Sequence, residues 1–207
     1  MIRDLCDRLA RPFLTLLFFT CCTGILFAQT HRMPSMRTPS GGRAICAKCE
    51  APANILSSAT LTAPGEPGEP MEITGTIYRS DGHSPAAGVI LFVYHTDATG
   101  HYSPQDDPFA PRIRGWLRTG ADGHYRFRSI RPAPYPSHSE PAHIHVHVWS
   151  DMMPEHFLPE YWFAGDPLIP PKDVARYGEM GTFSPIVTLR READGLWHGV
   201  RDIRLDQ

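Results

Sequence analysis

Three histidines alternate along one short segment, Pro141-Ala-His-Ile-His-Val-His147, the densest patch of potential chemistry in the 207-residue chain. Side chains on an extended strand point alternately to opposite faces. His143, His145 and His147 therefore share one face, and Ile144, Val146 and Val148 share the other. Two neighbouring imidazoles on a common face can reach one metal ion. The plain alternative is a solvent-facing polar edge, which suits a lone histidine better than three on an otherwise apolar strand. Imidazole serves several transition metals, so the histidines alone do not name the ion.

The surrounding motifs narrow the choice. Gly100-His-Tyr-Ser, Ile113-Arg-Gly-Trp-Leu-Arg-Thr, Ala121-Asp-Gly-His-Tyr-Arg-Phe, Arg131-Pro-Ala-Pro-Tyr-Pro136 and Pro141-Ala-His-Ile-His follow one another in an order and spacing that resembles the intradiol ring-cleavage dioxygenases. Phe163-Ala-Gly-Asp-Pro-Leu-Ile-Pro170 resembles the segment after the metal strand in the protocatechuate dioxygenase branch. The likeness spans residues 70 to 205. A short Cys-x-x-Cys arm ahead of such a domain is similar to the small exported branch of that family.

The resemblance implies a non-haem ferric ion, Fe(3+), held by two tyrosinates and two histidines. On this chain those positions are Tyr102, Tyr135, His143 and His145. The residue types suit the ion: a hard trivalent cation prefers anionic oxygen, and coordination lowers a phenol pKa from about 10 far enough to give tyrosinate at neutral pH. The family precedent implies that a catechol-type diol loses both protons and chelates the iron. It displaces the ligand matching Tyr135, which then acts as a base, and dioxygen opens the ring between the hydroxylated carbons to a cis,cis-muconate-type product.

Two positions depart from the family pattern. Glu140 stands where an arginine usually precedes the ligand histidines, and Glu160 stands where a glutamine is common. A glutamate cannot stabilise negative charge on a substrate as an arginine does, so Arg114, or Arg112, is the candidate replacement. Two acids in place of a cation and an amide favour neutral or amine-bearing catechols over carboxylated ones. His147 and Trp116 join Glu140 and Glu160 as candidates around the pocket, with His147 read as an orienting or structural group, and His138 lies on the loop between Tyr135 and His143. Two other readings stay open at this point. One is a zinc hydrolase or isomerase using the His143, His145 and His147 face; the other is a non-catalytic exported binding module on the same fold.

The elements that must position these residues read as strands. Ile73, Gly75 and Ile77 alternate with polar partners, and Val89 to His95 is a largely apolar run suited to a central strand. Ile113 to Thr119 and His124 to Ile130 flank Ala121-Asp122-Gly123, the composition of a tight hairpin. In the second arm Tyr125, Phe127 and Ser129 face one way. Ala142 to Trp149, Ile186 to Arg190 and Val200 to Leu205 complete the set. With 21 prolines, 17 glycines and no long stretch of helical period, the fold class expected is an all-β antiparallel sandwich with a disordered or extended N-terminal arm.

The formal net charge is −2, which offers no basic field for nucleic acid. Residues 1–28, with Arg3, Arg8 and Arg11 ahead of apolar runs, read as a signal peptide, and membrane contact is expected only through this signal or an uncleaved anchor. The expected location is therefore exported, periplasmic or extracellular. Residues 29–69 form a linker carrying Cys46 and Cys49, whose C-x-x-C spacing in an oxidising compartment suggests a small disulfide loop. Residues 70–207 form the folded domain, with a catechol-type small molecule and dioxygen as its partners and its oligomeric state left open.

Overall fold

The computed structural model describes residues 35–37, 43–45 and 47–206. The signal expected over 1–28 and Cys46 of the expected disulfide loop lie outside the described residues. In chain order the strands are β1 (Ser35–Arg37), β2 (Arg43–Ile45), β3 (Ser58–Thr60), β4 (Pro70–Tyr78), β5 (Ile90–His95), β6 (Ile113–Arg118), β7 (His124–Ile130), β8 (His143–Trp149), β9 (His156–Phe157) and β10 (Tyr161–Phe163). A two-turn helix, α1 (Pro171–Gly178), follows, then β11 (Ile186–Val187), β12 (Arg190–Arg191), β13 (Trp197–Val200) and β14 (Ile203–Arg204). Pro171 suits the first turn of α1, where no backbone N–H is required.

Two sheets carry the fold. One runs β11-β10-β8-β5-β6 with β9 added on β8; the other runs β12-β13-β4-β7-β3 with β14 added on β4. Alternation explains the layering. Ile73 and Ile77 on β4, Leu91 and Val93 on β5, Tyr125 and Phe127 on β7, and Ile144, Val146 and Val148 on β8 are all buried in one cluster between the sheets. Each such side chain contributes about 1.5–3 kcal/mol of transfer free energy. The pairing is mixed, not wholly antiparallel: β3 runs parallel to β7, β13 and β14 run parallel to β4, and β10 runs parallel to β11. The chain's ends return to the sheets by crossover, which a local pattern of alternation does not encode.

The turn at Ala121-Asp122-Gly123 is tight, but it does not close a hairpin. Gly123 (φ 69°) donates to the Gly120 carbonyl at 3.0 Å, and His124 N–H caps on Asp122 at 3.0 Å. The strands it joins belong to different sheets, so the turn carries the chain across the sandwich. A Cβ at Gly123 would sit 2.6 Å from the Ile77 carbonyl oxygen, so the turn needs glycine for space as well as for its backbone angle.

Ordered structure also begins well before residue 70. Ala47 is fully buried, Leu61 is buried against the inner cluster, and β3 forms an edge of the second sheet. Residues 47–61 are thus built into the sandwich and are not linker. Their short side chains disguise this, because their partners, β7 and Trp116, lie far along the chain.

Candidate metal centre

The outer face of the first sheet carries the site. In register across three strands, Arg114 on β6 lies opposite Tyr94 on β5, and Tyr94 lies opposite His145 on β8. One step along, Trp116, Phe92 and His147 form a parallel row. His143 and His145 occupy the start of β8. Tyr102 arrives from the β5–β6 loop and Tyr135 from the β7–β8 loop. Gly100 (φ 87°) brings the two loops together: a Cβ there would stand 2.3 Å from the Pro134 carbonyl oxygen, so only glycine permits the approach.

Four atoms converge. The Tyr102 hydroxyl is 2.5 Å from the Tyr135 hydroxyl and 2.7 Å from His145 Nε2. The Tyr135 hydroxyl is 3.1 Å from His143 Nε2 and 3.5 Å from His145 Nε2, and the two Nε2 atoms are 3.1 Å apart. Donors about 2.0–2.1 Å from a shared first-row ion stand about 2.8–3.4 Å apart, close to the 3.1–3.5 Å of three of these pairs, while the two contacts of the Tyr102 hydroxyl have hydrogen-bond length.

The opposite ring edges explain why both Nε2 atoms point inward as acceptors. His143 Nδ1 donates to the Pro141 carbonyl at 2.7 Å, and His145 Nδ1 faces Glu160 Oε1 at 2.8 Å. Each imidazole spends its one neutral-form proton there, which fixes the tautomer and leaves a bare Nε2 lone pair. The cluster then has only two phenol protons for five close contacts, and two lone pairs meet at 3.1 Å with nothing between them. A cation at the centre satisfies all four donors at once, so the residues present fit a metal ion.

The electrostatics agree. Burial pushes both phenols above their ordinary range, furthest for Tyr102, where the hydrogen bond with Tyr135 adds to it; the charge of Glu140 adds to the effect on Tyr135. The protein alone therefore keeps both protonated, and a nearby multivalent charge is what would ionise them. Burial, and then the proximity of His145, lowers the His143 pKa and keeps that ring neutral. Burial would raise Glu160, but the hydrogen bond from His145 and the neighbouring histidines hold its carboxyl below the usual range.

The other expected residues fall elsewhere. Arg114 does not reach the cluster: its Nη1 donates to the Pro111 carbonyl at 2.6 Å, its Nη2 lies 3.5 Å from Glu50, and Tyr94 separates it from His145 in the register. Arg112 is held in a two-pronged pair with Glu66 at 2.6 and 2.7 Å. Neither guanidinium takes the place of the missing arginine. Trp116 packs on Phe92, and its indole donates to the Ala47 carbonyl at 2.9 Å, so it anchors the arm and does not open onto the donors. His147 is buried beside Phe157, with Nδ1 2.7 Å from Glu155. It shares the face of the other two histidines but not their cluster. Glu140 is exposed on the β7–β8 loop, and Cys49 is disulfide-bonded.

Glu160 meets the far edge of His145, so it stands behind the ring and not among the inward donors. With His143 and His145 it forms a group whose ligand atoms lie within 4.8 Å of one another. Because one imidazole nitrogen serves Glu160 and the other serves the cluster, the carboxylate acts as an orienting partner. Tyr94, passed over as one residue of an apolar run, stacks on the His145 ring at 4.5 Å and 20°. Beside His145 and Glu160 opens a cleft of ≈ 300 Å³, lined also by Phe157, Trp162, Tyr177 and Pro185 among others.

Comparison with known proteins gives the same picture. The family model described as Dioxygenase matches residues 50–196. The catechol 1,2-dioxygenase 1 of Acinetobacter lwoffii is 33% identical over 125 residues, covering 51% of this chain and 40% of its own length. The protocatechuate 3,4-dioxygenase beta chain of Burkholderia cepacia is 33% identical over 117 residues, with 51% and 49% covered. The chain thus spans about half the length of these curated relatives. The dioxygenase domain of a dioxygenase carbohydrate-binding fusion from Streptomyces sp. SirexAA-E superposes with a TM-score of 0.55 at 25% identity, over 84% of this chain and 98% of that one. An intradiol ring-cleavage dioxygenase from Tetranychus urticae shares the fold at a TM-score of 0.54 and 15% identity, over 73% and 87%. With a family match over most of the described chain, these relatives beside it and the donor cluster in place, the chain belongs to the intradiol ring-cleavage dioxygenase family.

Proposed function

We propose that Tyr102, Tyr135, His143 and His145 hold one ferric ion, and that the protein cleaves a catechol-type diol between its two hydroxylated carbons with dioxygen as co-substrate. The observation that carries this reading is the convergence of two phenol oxygens and two bare Nε2 atoms within 3.5 Å. Bound Fe(III) supplies Lewis acidity that favours the doubly deprotonated diol and makes its ring electron-rich.

The two tyrosines divide the remaining work by burial and contact length. Tyr102 is 5% exposed and lies closest to His145, so it is the permanent donor. Tyr135 is partly exposed, lies farther from His145 Nε2 than Tyr102 does, and sits on a loop. Tyr135 is therefore the group that swings aside to admit the diol, and its oxygen receives one of the diol's protons. Glu160 and Tyr94 lock the plane of His145 from its edge and its face, which keeps the Nε2 lone pair aimed while Tyr135 moves. Arg3, Arg8 and Arg11 ahead of the apolar runs in residues 1–28 support an exported setting for this activity.

The test is direct. Protein purified with iron available should contain one iron per chain and show the strong visible absorption of tyrosinate bound to ferric iron. It should consume oxygen with a catechol and yield a ring-opened acid heavier by both oxygen atoms. A colourless protein with stoichiometric zinc, or iron-loaded protein that leaves every catechol of a broad panel intact, would overturn the reading.

A further inference from the structure

The cleft beside His145 has a specific chemical character. Among the residues lining it, Glu160 is the one acidic side chain, and Phe157, Trp162 and Tyr177 contribute aromatic rings to the wall. Only one Glu160 oxygen is taken by His145, and its side chain remains 31% exposed. A carboxylate offers about four acceptor sites, and with His145 and the Trp162 indole N–H beside it the remainder is open to the cleft. Aromatic faces around a carboxylate make a receptor for an organic cation: the rings contribute their negative faces and the acid contributes a full charge. A carboxylate-bearing ligand would meet like charge there, and Arg112 and Arg114 are held by Glu66, Glu50 and the Pro111 carbonyl. One face of Tyr177 is covered by Arg176, whose guanidinium lies 5.1 Å from the ring centre, which leaves Trp162 and Phe157 as the cation-facing rings.

The cleft lies at the Nδ1 edge of His145, whereas the four donors meet at its Nε2 edge. One imidazole width therefore separates the place where a diol would chelate from the place where a ring substituent would end. We propose that this cleft seats the protonated amine of an amine-bearing catechol, between the Glu160 carboxylate and the rings of Trp162 and Phe157. The inference rests on the ring-cleavage reading and names the substrate class of that same site.

Three catechols matched in shape but not in charge test it: 4-(2-aminoethyl)catechol, 4-ethylcatechol and 3,4-dihydroxyphenylacetate. Each is titrated without oxygen into the iron-loaded protein, and the visible band reports binding. The ammonium form should bind at least about tenfold tighter than the carboxylate form, with the neutral form between them. In Glu160→Gln, which keeps an acceptor for His145, that ratio should fall below about threefold. Each variant is compared only with itself, so any general loss of affinity cancels. If Glu160→Gln loses its visible band, Trp162→Leu replaces it and should shrink the preference for ammonium over neutral by a similar factor. Equal binding of all three catechols, tighter binding of the carboxylate, or a ratio unchanged in both variants overturns the inference and leaves ring cleavage standing. If none of the three perturbs the band, ring cleavage itself fails.

Discussion

Removing the metal proposed for the four-donor cluster should cost this protein far more than losing a typical surface ligand would. In the metal-free cluster two hydroxyl protons must serve five contacts of 2.5–3.5 Å, and two nitrogen lone pairs face each other at 3.1 Å. Because the donors are already gathered, binding spends little on ordering them, and a free ion at about a thousand times its dissociation constant stabilises the fold by about 4 kcal/mol. For a domain of this size each kcal/mol moves Tm by about 2–4 °C, so chelating the iron should lower Tm by about 8–16 °C. The assay is thermal unfolding of iron-loaded and chelator-treated protein, followed by circular dichroism, with the visible band recorded alongside. Tyr102→Phe supplies the control: it removes one donor and about 1 kcal/mol of hydrogen bonding from the metal-free form. The variant should lose most of the band and show less than about a third of the wild-type shift. If wild type melts at one temperature with and without iron, or Tyr102→Phe keeps both the band and the shift, the four-donor argument is wrong.

Three further outcomes follow from the same structure. Gly115→Val should destabilise the fold by about 1–3 kcal/mol in urea unfolding, since a Cβ at Gly115 would meet Leu61 Cδ2 at 2.4 Å. Leu61→Ala should cost about 2–5 kcal/mol alone, and in the double variant it should offset much of the Gly115→Val penalty. His95 is buried, and burial lowers its pKa from the usual 6.5 to about 4. The unfolded chain therefore binds a proton at His95 that the folded chain refuses. The associated stability is present above pH 6.5 and is lost as the pH falls towards 4, by about 3 kcal/mol at most; urea midpoints across that range should fall less steeply in His95→Gln than in wild type. Trp116→Phe keeps the ring against Phe92 but removes the bond to the Ala47 carbonyl, and should cost about 1 kcal/mol in chemical unfolding.

The parts of the site that lay in the sequence are the ones encoded by short-range rules. Period-two alternation places His143 and His145 on one face, whereas resemblance to the family's motifs, not any local rule, singles out Tyr102 and Tyr135. The same alternation put His147 on that face but said nothing of its neighbours, because Glu155 and Phe157 reach it only after the chain has turned back through β9. Tyr94 was hidden in a strand whose residues from Leu91 to His95 are all buried, so no contrast in polarity marked it out. Its role depends on register with β8, a long-range property. Glu160 was found as a departure from a family pattern, yet its position behind His145 required the β8–β10 pairing. The small residues of 47–61 read as linker for a similar reason: a strand of three residues paired in parallel to a distant partner leaves almost no local trace.

The turn at Gly123 sends the chain from one sheet to the other, and every donor lies on the first sheet or on loops that reach it. The outward side of β7, with His124, Arg126 and Arg128 exposed, is thus remote in covalent and packing terms from the reactive face. An engineer wishing to tether this protein to a support, attach a dye or alter its surface charge has the exposed side of that second sheet on which to work without touching the donor cluster.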